Sequence, residues 1–316
     1  MKQKTSNPFL WLPGQGPDDA ALSRLHAHFP RPRAPMRGAY VMSGERATFD
    51  TDDNPRGALF DIASATCSFG EDREWIDWFH YLLADETAFA MRAGALERPL
   101  VEALATAFFA IYPEGVTREP YRGFERDALN TFGRAIMGMN CWAEGCIRRG
   151  EALCREETQW GTWGWGEPSG DLSASLFFCL KYLAPEEIRP WLASALSIED
   201  RYWRAQLMAF FVGVHDMLRG SLQQPAQLAD ARPPVAWENS FLLTGVYYGA
   251  FDKPPAPFLP EEKCEAARDA VTAFFNDEIY LAWLYAIAED EALETELATV
   301  PEQFRTMYLP SPGKNA

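Results

Sequence analysis

The sequence lacks the short motifs that most often mark catalytic and cofactor sites. It has no phosphate-cradling GxxxxGK(S/T), no dinucleotide-binding GxGxxG and no GxSxG nucleophile elbow. The magnesium motifs of terpene cyclases are also missing. Asp52-Asp53 is followed by Asn54-Pro55 with no third Asp, and Asn276-Asp277 is followed by Tyr280 and Leu284 where Ser and Glu would be needed.

Histidine is scarce, with four in 316 residues. His26 and His28 form an HxH pair beside Phe29-Pro30, where a loop is expected. His80 follows Asp77 by three residues on a helix face away from the Trp/Phe stripe, so an exposed Asp77–His80 pair is expected. A di-iron bundle needs two carboxylate-x-x-His units, and His215 has Val212 in place of the second acid.

Six cysteines, Cys67, Cys141, Cys146, Cys154, Cys179 and Cys264, are too few for a disulfide scaffold of this length. Cys141 and Cys146 are five residues apart, about 140° around a helix, so one zinc ion cannot join them there. Packing as small hydrophobes is the expectation. No metal, no cofactor and no catalytic residue is assigned.

Long apolar runs are missing too. The opening MKQKTSNPFLWLPGQG has an apolar stretch, Phe9-Leu10-Trp11-Leu12, too short for a signal-peptide core, and no segment approaches a membrane span. A cytoplasmic protein without membrane contact is the expectation. Basic charge is the last shortage: 29 Lys+Arg against 45 Asp+Glu give a net charge of −16. Such a chain is a poor phosphate-backbone binder, so nucleic acid is not expected and a basic protein partner is.

What is present points to an all-α fold. At 47% hydrophobic and 14% aromatic, the chain can bury a substantial core. Residues 1–48 carry seven basic and three acidic residues, a net of +4, which leaves −20 on the rest. Prolines 8, 13, 17, 30, 32 and 35 forbid continuous helix there. An extended arm over 1–55, lying on the surface of the body, is expected, with at most a short helix near Asp18–His28.

Helical periodicity covers much of the remainder. It predicts helices over 72–90, 96–112, 124–149, 172–183, 186–196, 199–218, 236–249, 261–289 and 299–307. The 199–218 helix starts from Ser197 with Asp200 three residues on, and the 236–249 helix is apolar on more than one face. The whole reads as antiparallel helix pairs in an irregular array, HEAT-like at 185–219, forming one domain over 56–316 that could subdivide near 223–234.

Two polar residues fall on apolar stripes. Asn140 lies among Ile136, Ala143 and Ile147, so its amide needs a partner or a cavity; Glu238 shares a face with Phe241 and Leu242 but also suits a helix N-terminus.

The most unusual segment is QWGTWGWGEPSGD at 159–171. Its glycines oppose helix, so it reads as a loop or extended ribbon before a helix capped by Asp171. If it is extended, Trp163, Trp165 and Glu167 share one side and Trp160 takes the other. Such a surface can stack on a ligand or anchor a partner, and it can equally close gaps between helices.

The function expected is non-catalytic binding of a basic protein, as an immunity or inhibitor protein does with an acidic face. Glu289, Asp290, Glu291, Glu294 and Glu296 are the acids most open to that role. The alternative is an α-helical hydrolase on a carbohydrate-like substrate, with Trp163 and Trp165 as platform and Glu167 or Asp171 as acid/base.

Overall fold

A computed structural model describes residues 8–33, 36–37, 48–49, 73–93, 100–138, 142–147, 156–157, 163–164, 170–244 and 256–309. The fold is all-α. The helices are α1 (Asp19–His28), α2 (Arg73–Ala93), α3 (Leu100–Ile111), α4 (Phe124–Asn130), α5 (Asp171–Tyr182), α6 (Pro185–Leu196), α7 (Arg201–Gly213), α8 (His215–Leu218), α9 (Glu261–Phe274), α10 (Asp277–Ala288), α11 (Glu291–Leu297) and α12 (Val300–Tyr308). Three 3-10 segments, Phe132–Gly138, Pro225–Asp230 and Glu238–Thr244, join them. Among the described residues, strand is confined to antiparallel two-residue pairs.

The centre of the fold is α5, every residue of which is buried. It packs on α3, and α9 packs on α6 while α10 and α12 pack on α7. Aromatic rings fill the space between them. Phe177 lies 5.3 Å from Trp237, and Phe178 lies 5.0 Å from both Phe108 and Tyr182.

The amino-terminal segment departs from the surface arm that its prolines imply. Phe9 and Trp11 are 1% and 0% exposed. The Trp11 indole meets Trp191 at 5.2 Å and Trp203 at 5.9 Å, and its Nε1–H donates to the Gly133 carbonyl at 2.8 Å. The stretch from Pro8 to Pro17 carries no charged residue, so its two aromatic side chains enter the core without desolvating an ion. Asp18 caps α1 through the Ala21 N–H, and Arg24 grips Asp127 of α4 with two bonds of 2.8 and 2.6 Å.

The predicted helix over 124–149 is broken. It stops at Asn130, tightens into the 3-10 segment Phe132–Gly138, and gives way to a hairpin pairing Trp142–Ala143 with Cys146–Ile147. Two local facts enforce this. Glu144 and Gly145 have φ of 54° and 80°, the left-handed pair that a two-residue hairpin turn needs. Gly138 also packs backbone to backbone on Gly16, so closely that a Cβ would sit 2.7 Å from the Gly16 Cα. Asn140, Cys141 and Cys154 lie outside the described residues; Cys146 is exposed, whereas Cys179 and Cys264 are buried thiols.

The remaining differences concern helix ends. The 261–289 helix divides at Phe275, because the Asn276 side chain accepts the Ile279 N–H at 2.8 Å and starts α10 afresh. Asp200, not Ser197, caps α7 by accepting the Trp203 N–H at 2.9 Å, and its other oxygen takes the Ile147 N–H at 3.1 Å. Gly170 caps α5, and Asp171 is that helix's first residue. Where a helix over 236–249 was expected, residues 238–244 form a 3-10 segment.

Candidate functional site

The sequence marks three places for chemistry: the Trp/Gly segment with Asp171, His80, and the carboxyl-terminal acids. Of the Trp/Gly segment, the described part is Trp163–Gly164. It is extended, with Trp163 opposite Glu157 and Gly164 opposite Glu156. Trp160, Trp165 and Glu167 lie outside the described residues.

Asp171 is a core residue. It is 0% exposed, and its Oδ1 accepts the Glu102 N–H at 2.7 Å, so its carboxyl serves the open N-terminus of α3 from a neighbouring helix. Glu102 in turn accepts the backbone N–H of Asn239 at 2.7 Å and its side-chain amide at 3.0 Å, which holds the start of the Glu238–Thr244 segment. Burial, reinforced by the Glu102 charge, pushes the Asp171 carboxyl up to about 8. Two carboxylates thus couple three elements inside the core, away from solvent.

His80 is likewise buried, 5% exposed, and not part of an exposed pair with Asp77. Its Nε2 and the Tyr112 hydroxyl are 2.8 Å apart, and its ring stacks on Phe29 at 4.4 Å. Burial lowers its pKa to about 4, so it is neutral at physiological pH. Asp77 on the same face stays exposed, whereas His80 is covered by Tyr112, just past the end of α3, and by Phe29 of the amino-terminal segment. Among the described residues, no group of three or more His, Cys, Asp or Glu side chains could hold a metal ion.

The carboxyl-terminal acids have divided roles. Asp290 caps α11 through the Ala292 and Leu293 N–H groups and accepts the Tyr202 hydroxyl at 2.8 Å. Glu289 lies 3.8 Å from Arg201, with the Glu289 side chain largely in solvent and that of Arg201 partly covered. Glu291 and Glu294 are exposed, and Glu296 is half-buried.

What the sequence did not single out is the surface beside these acids. On α10, Tyr280, Trp283 and Ile287 turn inward, while Asp277, Glu278, Leu281, Ala282, Tyr285, Ala288 and Glu289 are exposed. At 100° per residue these seven fall within an arc of about 140°. Midway along the helix this face is apolar, with Leu281 47% and Tyr285 72% exposed, and Asp277 and Glu278 at its start and Glu289 at its end are acidic. The signal was available in Asn276, whose capping role restarts the helical phase and turns Leu281 and Tyr285 outward.

No protein-family model, no curated protein and no solved structure matches this chain. Among the described residues, no helix is long and apolar enough to cross a membrane.

Proposed function

We infer that this chain is a binding protein for a basic protein partner, and that the partner docks on the outward face of α10. The observation that carries this reading is Leu281 and Tyr285 standing in solvent between Asp277, Glu278 and Glu289. An exposed tyrosine with an aliphatic neighbour is the composition of an interface anchor, and a ring of carboxylates selects a cationic rim around it.

Charge argues against a second copy of this chain as the occupant. Two α10 faces in antiparallel contact would set Asp277 and Glu278 against Glu289, and each chain carries −16. The ion pairs already present do not compete strongly. Arg201–Glu289 at 3.8 Å and Arg305–Asp277 at 3.7 Å are long pairs at the surface, each with a well-exposed carboxylate, and such pairs contribute about 0–1 kcal/mol. An inhibitor or immunity protein that covers a basic enzyme fits this chemistry, with Glu291 and Glu294 extending the acidic rim.

Affinity capture from host cells tests the reading, using the native chain beside Tyr285→Ala and a Glu278→Lys/Glu289→Lys variant. A basic protein held by the native chain should bind Tyr285→Ala on the order of 30-fold more weakly, the loss of one hot-spot anchor. The charge-reversed variant should lose both affinity and its salt dependence. Equal capture by all three chains would move the site away from α10, to the Trp/Gly segment next.

A further inference from the structure

The chain uses lysine sparingly: six of its 29 basic residues, Lys2, Lys4, Lys181, Lys253, Lys263 and Lys314. Two of the six line the same cleft. It has a volume of about 690 Å³ and opens between the turn at 113–115, the start of α4, the end of α5, the 256–260 segment and the start of α9. Its size is that of a small-molecule site. Leu129, Tyr182 and Phe258 supply apolar lining.

The lysines sit awkwardly for cations. Lys181 is 9% exposed and Lys263 8%. The Lys181 Nζ donates to the Phe258 carbonyl and lies 4.3 Å from the centre of the Phe258 ring. The Lys263 Nζ donates to the Leu183 carbonyl at the end of α5. An ammonium carries three N–H donors, and among the described residues each of these lysines forms one hydrogen bond to the protein. Desolvation, reinforced by the Lys263 charge, lowers Lys181 from 10.5 to about 8 against the opposing pull of Glu114.

An amine with a free lone pair near neutral pH, in a cleft of ligand size and beside a second cation, is the arrangement that activates lysine toward carbonyl compounds. The rim restricts which ones. Glu114, Glu119, Glu125, Glu187 and Glu262 face the cleft, and its third cation, Arg126, is spent on Glu187 at 2.8 and 3.0 Å. Among the described residues, five carboxylates against three cations disfavour keto acids and phosphorylated sugars.

We propose that Lys181 is a nucleophilic amine and that this cleft captures a small neutral aldehyde or ketone as an imine on its Nζ. The nitrogen lone pair attacks the carbonyl carbon, and the C–N bond forms as the C=O π pair moves to oxygen. Glu114, which lines the same cleft as Lys181, takes the proton leaving nitrogen and returns it to that oxygen. In the carbinolamine the nitrogen lone pair forms the C=N bond as the C–O bond breaks. The departing hydroxyl takes a proton and the remaining N–H proton returns to the carboxylate, so that water leaves. Amine and carbonyl become imine and water, with no change of oxidation state.

The test uses propanal and sodium cyanoborohydride on the full chain, with alkylation of each lysine counted by peptide mass spectrometry. At pH 7 a lysine near 8 presents on the order of 100 times more free amine than one at the ordinary value. Allowing for its lower intrinsic nucleophilicity, Lys181 should react about 10-fold or more faster than Lys2, Lys4, Lys253 and Lys314. Its rate should saturate with propanal concentration and reach half its maximum near pH 8, and Lys181→Arg should abolish the fast phase. Alkylation of Lys181 no faster than that of the other four, a linear dependence on propanal, or preferential label on Lys263 would each overturn the proposal. These readings come from the native chain, so they stand even if a variant fails to fold.

Discussion

Helices α5 and α10 have the same length and opposite fates. The first, DLSASLFFCLKY, carries an acid, two serines and a lysine, yet every residue in it is buried. The second, DEIYLAWLYAIA, has no charge beyond its first two residues, yet it buries only Tyr280, Trp283 and Ile287. Composition alone would reverse them. The difference lies in what surrounds each helix: α5 is met by α3, α4, α9 and the Phe132–Gly138 segment, and two of its polar side chains serve backbone groups, whereas the Asp171 Oδ2 and the Ser175 Oγ are buried without a hydrogen-bond partner among the described residues. Asp171 serves the start of α3 and Lys181 the 256–260 segment. By contrast, α10 packs on α7 and α11 and leaves an apolar face over. A helix enclosed by packed elements can hold polar residues, whereas one covered on a single side leaves apolar surface in solvent.

The comparison breaks most visibly if an aromatic ring is removed from α5. Phe177 is 0% exposed and packs against Phe210, Trp237 and Phe258. Phe177→Ala should cost about 3–5 kcal/mol in urea unfolding, the transfer loss plus the cavity left behind. A loss below about 1 kcal/mol would mean that the centre of the fold lies elsewhere.

The buried acid gives the next effect, and its sign is unusual. The folded-state value of about 8 for Asp171 lies above its ordinary 3.8, so the folded chain retains a proton that the unfolded chain releases. Its contribution is therefore fully present below about pH 4, is lost as pH rises toward 8, and is level beyond that. Asp171→Asn keeps an acceptor for the Glu102 N–H and removes the titration. The stability of the variant minus that of the native chain should grow between pH 4 and 8, by more than about 2 kcal/mol. A difference independent of pH would show that Asp171 is ionised in the folded chain.

A smaller effect probes the same junction by volume. A Cβ at Gly170 would meet the Glu102 Oε2 at 2.1 Å and the Trp237 Cα at 2.8 Å. The carboxylate is fixed by Asn239 and the Cα is backbone, so neither yields freely. Gly170→Ala should cost about 1–3 kcal/mol by thermal or urea unfolding. An unchanged midpoint would mean that the junction relaxes, and that the acids there are less confined than their geometry implies.

These contrasts also mark what the sequence could tell. The ends of α5 and α6 were legible within a residue or so, because their apolar residues keep strict helical spacing and proline or glycine bounds them. The break in 124–149 was not, since a 3-10 turn advances at three residues and preserves the three-and-four rhythm of Phe132, Ile136 and Met139 that suggests a helix. The hairpin turn at Glu144-Gly145 was the missed signal. His80 was misjudged because one helix does not reveal that Tyr112, 32 residues away, closes over its second face. The carboxyl-terminal acids were visible as a charge run, whereas the apolar half of the α10 face was hidden by carrying one helical phase through residues 275 and 276. Nothing in the sequence spacing joins Lys181 to Lys263, which meet only through the fold.

The smallest stability effect sharpens the comparison furthest. Tyr285 is as large as Phe177 but 72% exposed, and it keeps much the same exposure whether the chain is folded or not. Tyr285→Ala should therefore change unfolding free energy by less than about 0.5 kcal/mol, within the range of ordinary surface substitutions. Alanine also favours helix slightly more than tyrosine, which offsets part of any lost contact. If the same variant loses a basic partner, a ring that does nothing for the fold is shown to serve the complex. If it unfolds the chain instead, α10 belongs to the core, and the contrast with α5 disappears.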